Sequence, residues 1–266
     1  MTGSVRKPGF RLFPIMLSAA AVWGDVLGAQ SPVGVFAAQT DVGRATGTAS
    51  YDPVQQTYLI AGSGQNMWDA RDDFHFVWRR VSGNFILSTR ARFIGAGVEE
   101  HRKIGWTIRP SFDPGSAHVT AALHGNGLMS LQFRRQPGGL TEEAKSADSL
   151  PDADAVIQLE RRDGEYFMSV ARFGDSLVTQ RLTTVSLPDT VYVGLFVCAH
   201  NDTVIERATF SNVRITIPAQ RDVVPYRDAS DRVRVHSFRW RHLVAYGNTN
   251  RYRPVSRSKA SGPSGT

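Results

Sequence analysis

Asp69, Asp72 and Asp73 crowd into the stretch GSGQNMWDARDDFHFVW, Gly62 to Trp78, where clustered carboxylates could serve acid–base or nucleophilic chemistry on a sugar. Glycoside hydrolysis needs two carboxyls about 5–5.5 Å apart for retention of configuration, or about 6.5–9.5 Å for inversion. In an extended chain Asp72 and Asp73 face opposite sides, and Asp69 and Asp73 share a side but stand about 13 Å apart at about 3.3 Å per residue. Neither pair fits. The three read as turn and strand-edge carboxylates, and no catalytic residue is assigned; Glu160 and Glu206 would approach each other only if separate strands brought them together. His75, His101, His118, His124 and His200 lack the short spacings of zinc ligands, and Gly62-Ser63-Gly64, which reads as a turn on a hairpin, is not the G-x-S-x-G elbow of a serine hydrolase. No metal and no cofactor are expected.

A different set of residues carries a binding signal. Lys103, Thr107, Arg109, Gln132, Arg134 and His200 fall on the strand parity opposite the apolar residues, with His124 beside them in a turn. Clustered donors with an aromatic such as Trp68 or Tyr192 nearby suit a glycan, which offers many hydroxyls and an apolar ring face. The competing reading is a solvated outer face, where Arg and Lys on antiparallel strands are common.

The elements that must position these residues are strands. Phe74, Phe76 and Trp78 alternate with Asp73, His75 and Val77, a period-2 pattern that assigns the aromatics to a core. Phe85 to Phe93 alternates in the same way after Ser82-Gly83-Asn84, which reads as a hairpin turn. In Lys103 to Arg109 the residues Ile104, Trp106 and Ile108 share one face; in Leu128 to Arg134, Met129, Leu131 and Phe133 do. The segment from Gln136 to Asp154 reads as a polar loop. Two runs, AVIQLERR and YFMSVARF, flank a turn at Asp163-Gly164, and Val191 to Ala199 and Ala208 to Ile217 form long β-rich runs. About a dozen strands without a convincing amphipathic helix predict an all-β sandwich of two antiparallel sheets.

Charge and composition divide the chain. The formal net charge is +7 over 266 residues, yet residues 229–266 hold eight Lys or Arg against Asp231 alone, and Arg6, Lys7 and Arg11 stand near the start. The body between them is slightly acidic, which argues against nucleic acid as a partner. Basic residues ahead of the apolar run Leu12 to Trp23, then Leu27-Gly28-Ala29, read as a signal peptide over residues 1–29. After its cleavage no membrane span is expected, and the protein would be secreted or periplasmic. Residues 30–228 form the predicted domain, and 229–266 a basic tail without periodicity. Cys198, the one cysteine, lies in an apolar run and reads as a small buried hydrophobe.

The segments GTASYDP, GSGQNMWDARDDFHFVW, SGNFILSTRARF, HRKIGWTIRPSF, HGNGLMSLQFRR, VIQLERRDGEYFMSVARFG, YVGLFVCAHN and FSNVRI together resemble the concanavalin A-like domain of secreted bacterial proteins often placed ahead of a TolB-like β-propeller. The resemblance covers about residues 33–228. The function of that domain is uncharacterised; the resemblance implies a jelly-roll sandwich whose concave sheet, in lectin and glucanase relatives, lies along a glycan, and it suggests a propeller as partner. Relatives with a propeller continue where this chain turns into the basic tail, which suggests a frameshift or truncation there. Glucanases of this fold carry an E-x-D-x-x-E strand motif that is absent here. The expected function is therefore a non-catalytic carbohydrate-binding module. A diverged glycoside hydrolase and a structural module docking on a propeller are the alternatives.

Overall fold

The computed structural model describes residues 31–218 except 152, 153 and 183, together with Gly3 and the pairs 226–227 and 233–234. The expected leader and basic tail otherwise lie outside the described residues. Between Ser31 and Pro218 the strands are β1 (Ala38–Val42), β2 (Gly47–Asp52), β3 (Thr57–Gly64), β4 (Met67–Trp68), β5 (Arg71–Asp72), β6 (Phe74–Ser82), β7 (Phe85–Ile94), β8 (Lys103–Arg109), β9 (His118–His124), β10 (Leu128–Arg134), β11 (Glu142–Ser149), β12 (Ala155–Arg162), β13 (Glu165–Arg172), β14 (Val178–Leu182), β15 (Thr190–Cys198) and β16 (Asn201–Thr216). Seven of them make one antiparallel sheet in the order β1-β6-β15-β8-β9-β10-β11, and seven make a second in the order β14-β13-β12-β7-β16-β3-β2. The chain is thus the expected all-β sandwich of two antiparallel sheets.

The main core lies between the sheets and follows the predicted parity for most strands. Ile104, Trp106 and Ile108 of β8, Val119, Ala121 and Leu123 of β9, and Met129, Leu131 and Phe133 of β10 meet Phe85, Leu87, Ile157, Leu159, Tyr58, Ile60 and Phe210 from the facing sheet. Each large apolar side chain so buried contributes on the order of 1.5–3 kcal/mol.

β6 departs from the prediction. Val77 and Val81 face this core. Phe74 and Phe76 point the other way, into a second cluster with Met67, Phe196, Ala122 and Cys198, and Trp78 packs half-buried at its margin with Phe112 and Tyr192. The phenyl rings of Phe74 and Phe196 meet edge to face with centroids 5.8 Å apart. Aromatic residues fail to mark the sandwich core here because the first sheet is covered on its outer face as well. A two-stranded ribbon, β4 paired with β5, and the loop around Phe112 to Ser116 lie over it. A strand covered on both sides has two apolar faces, and alternation then no longer identifies the deeper one.

Three connections also differ from expectation. Ser82-Gly83-Asn84 is not a hairpin turn: β6 pairs with β1 and β15, whereas β7 pairs with β12 and β16, so the turn carries the chain from one sheet to the other. The predicted polar loop contains β11, an edge strand paired with β10. Gly62-Ser63-Gly64 ends β3 rather than forming a turn. Gly64 has φ +129°, and a Cβ there would stand 2.1 Å from the Asp73 carbonyl oxygen, so only glycine permits this approach to the start of β6.

Candidate functional site

The outer face of β8, β9, β10 and β11 collects the polar residues, and register explains how. Lys103 pairs with His124, and Thr107 with Thr120. Gln132 pairs with Thr120 on one side and with Glu143 on the other, while Arg134 pairs with His118. Because side chains alternate along each strand, all of these emerge on the face opposite Trp106. One end of the face holds Arg109, His118 and Arg134. The other holds Lys103 and His124, and the two ends have different fates.

The arginine end is sealed. Arg134 is fully buried and grips Asp72 with both terminal nitrogens, at 2.9 Å to Oδ2 and 2.8 Å to Oδ1. It also donates to the carbonyls of Asp69, Pro114 and Ser116 and to Thr141 Oγ1. Arg109 stands 3.3 Å from the same carboxylate and donates to the carbonyls of Ser111 at 2.7 Å and Asp113 at 2.6 Å. His118 is fully enclosed beside them, and burial pushes its pKa down to about 4, so it is neutral at pH 7. Two guanidiniums sharing one carboxylate are held in this dry setting because carbonyl oxygens take most of their remaining donors; Arg109 Nη1, 3.3 Å from Asp72, and Arg134 Nε make no hydrogen bond. Asp72 is therefore neither a turn residue nor an edge residue. It is the carboxylate that the ribbon inserts between two arginines. The signal was present in the sequence: arginines alternating with core residues on two strands demand a buried acid, and the 69–73 cluster supplies it.

The lysine end is open. A cleft of about 260 Å³ is lined there by Asn66, Trp68, His101, Lys103, His124, Leu128, Gln132, Glu143, Lys145 and His200. Lys103 is 3% exposed, and its ammonium donates to Asn66 Oδ1 at 2.6 Å. His124 Nδ1 donates to the Leu128 carbonyl at 3.0 Å, which leaves Nε2 as an acceptor, 3.4 Å from the Gln132 amide nitrogen. Burial, with the nearby Lys103 charge, pushes His124 down to about 3. Burial lowers His200 in the same direction. The His101 ring lies between those of His124 and His200, with centroids 6.1 Å and 5.7 Å away. His200 occupies the corner where the chain crosses from β15 to β16, with φ +58°, a backbone state that non-glycine residues adopt seldom and at a cost.

Two polar atoms at this end have no partner. Gln132 Oε1 and His200 Nδ1 are buried without a hydrogen bond, although such atoms are nearly always satisfied. Glu143 is the one carboxylate in the lining, and it stands 3.1 Å from Lys145 Nζ. Glu160 and Glu206 belong to the second sheet and are held by Arg162 and Arg102. Among the described residues no group of three or more His, Cys, Asp or Glu could hold a metal ion.

Of the seven residues predicted to bind, the structure therefore brings four together: Lys103, His124, Gln132 and His200. Thr107, Arg109 and Arg134 share the face but not the cleft. Each is fully buried, with Thr107 hydrogen-bonded to Thr120 at 2.7 Å and both arginines committed to Asp72. Trp68, named as a stacking candidate, lines the cleft. Tyr192 instead packs on Phe112 and Trp78. Glu143 and Lys145 were hidden because β11 read as loop, and Asn66 because nothing local distinguishes it.

No protein-family model matches the sequence, and no curated protein matches it. Among solved structures, the chain is similar to a functionally unknown protein from Saccharomyces cerevisiae, at 15% identity over 68% of this chain and 100% of that one, with a TM-score of 0.51. It is also similar to the carbohydrate-binding module CBM66 from Bacillus subtilis, at 16% identity over 71% and 98% of the two chains, with a TM-score of 0.46. The lectin UEA-II complexed with galactose is 9% identical over 68% and 98%, with a TM-score of 0.44. At these identities the likeness is one of fold.

Proposed function

We propose that this chain is a carbohydrate-binding module whose ligand enters the cleft at the lysine end of the first sheet. The observation that carries this reading is the pair of unpartnered buried atoms, Gln132 Oε1 and His200 Nδ1, in or beside a cleft that also presents the Trp68 ring. A sugar hydroxyl both donates and accepts, so one ring can satisfy an amide oxygen and an imidazole nitrogen together. Its apolar face can lie against an indole. At about 260 Å³ the cleft falls just below the roughly 300–1,000 Å³ of drug-sized ligand sites, which suits a single ring of a longer chain. Catalysis by paired carboxylates is not part of the reading, because Glu143 has no second acid across the cleft lining.

Export and a propeller partner belong to the same reading and rest on the sequence, on the leader-like residues 1–29 and on the family resemblance. The binding claim is tested by probing the full chain and its Trp68→Ala and His124→Ala variants on a glycan array, with Arg181→Ala on the exposed strand β14 as control. Retained binding by the control and at least tenfold weaker binding by the two cleft variants are expected. Binding to no glycan, or equal binding by all four proteins, would refute it.

A further inference from the structure

We propose that the cleft selects an acidic saccharide, and that Lys103 is the residue that receives its carboxylate. The inference rests on the carbohydrate reading above and names the class of sugar. It begins from an imbalance. Buried charges in proteins are paired, because taking an ammonium out of water without a counter-charge is costly. Lys103 is 3% exposed, yet among the described residues no carboxylate lies within ion-pair distance of its Nζ.

The acids that approach it are already engaged. Asp72 belongs to Arg134 and Arg109, and Glu143 stands with Lys145. The Lys103 ammonium has three donors and gives one to Asn66 Oδ1, which also accepts from the Met67 amide. The remaining donors are available to the cleft that Lys103 lines. The other buried cations are better provided for. Arg134 and Arg109 share Asp72, Arg102 stands against Glu206, and Arg161 gives its guanidinium to the carbonyls of Leu187, Pro188 and Asp189. Lys103 has one neutral amide oxygen.

A second observation points the same way. Gln132 Oε1 and His200 Nδ1 are unpartnered at the same end, so a ligand that matches this cleft offers hydroxyls as well as a negative charge. A hexuronate unit has both. Its single carboxylate matches the single unpaired ammonium, whereas a phosphate dianion would leave excess negative charge beside Glu143. The lowered pKa of Lys103, caused first by burial, agrees with an ammonium that no carboxylate of the fold pairs.

The experiment compares one oligomer in two forms. An oligogalacturonate and its carboxyl-reduced counterpart, in which each uronate has become a neutral hexose, are titrated calorimetrically into the full chain. At least tenfold tighter binding of the acidic form is expected, and Lys103→Met should bring the two affinities together. The comparison on the unaltered protein stands even if the variant fails to fold. Equal affinity for the two forms, or tighter binding of a sulfated oligosaccharide than of the uronate, would overturn the assignment. If neutral glycans bind on the array and the uronate does not, the acidic assignment falls and the carbohydrate reading stands. If no glycan of any kind binds, both fall.

Discussion

Two ends of one sheet face, built from the same strands and the same side-chain parity, have become different things. At the arginine end, Asp72 arrives on the β4–β5 ribbon, and carbonyls from 69, 111, 113, 114 and 116 take most of the donors of Arg109 and Arg134. At the lysine end, Asn66, just ahead of that ribbon, gives Lys103 a neutral partner, and a cleft remains. Polar residues on a covered sheet thus become structure where the covering segment brings an opposite charge. They become a site where it does not.

This contrast predicts that substitutions at the two ends fall on different observables. The largest effect is expected for Arg134→Met, which leaves the buried Asp72 carboxylate with one guanidinium and frees the carbonyls that Arg134 now satisfies. Loss of one partner from such a pair costs about 3–5 kcal/mol, read as a lowered urea midpoint with unchanged slope. A midpoint within experimental error of the unaltered protein would mean that the sealed network adds nothing to stability.

Acid should act next. His118 takes its proton in the folded protein only near pH 4, whereas an unfolded imidazole titrates near 6.5. Between those values the unfolded state binds the extra proton, so stability is full above about pH 6.5 and declines as pH falls toward 4. The loss should reach roughly 3 kcal/mol from this residue, at about 1.4 kcal/mol per pH unit. His124, pushed down to about 3, acts in the same direction. Urea titrations at pH 7, 5.5 and 4 measure the decline, and His118→Asn should make it shallower, with His124 supplying the remainder; an undiminished slope in that variant would show that His118 is not responsible.

The smallest effect, and one of opposite sign, is expected at the open end. Lys103→Met removes an ammonium that has no carboxylate partner, and replacing buried charge by an apolar chain of similar length is neutral or stabilising. A gain of about 1 kcal/mol in thermal or urea unfolding is expected. A loss as large as that of Arg134→Met would erase the distinction between the two ends.

Much of the fold was legible in the chain. The alternation in β8 and β10 correctly placed Ile104, Trp106, Met129 and Leu131 in the core and put Lys103, Gln132 and Arg134 on the opposite face. The turns after His124 and at 163–164 connect paired strands as expected, although His124 itself is the last residue of β9 and not a turn residue. β11 escaped notice because an edge strand with one exposed side carries polar residues that read as loop. The direction of Phe74 and Phe76 escaped notice because the ribbon adds an apolar layer on the far side of β6.

By itself, then, the sequence determined the sheet content, the parity of most strands and the set of residues from which any site would be drawn, because those follow from local periodicity. Only the tertiary structure decided which of those residues are buried in pairs and which face a cleft. That choice depends on where Asn66 to Asp72 settles on the sheet, and on a carboxylate more than 60 residues from Arg134 meeting it at 2.8 Å. Alternation assigns a side chain to a face, but whether its charge finds a partner there is set by segments remote in the chain.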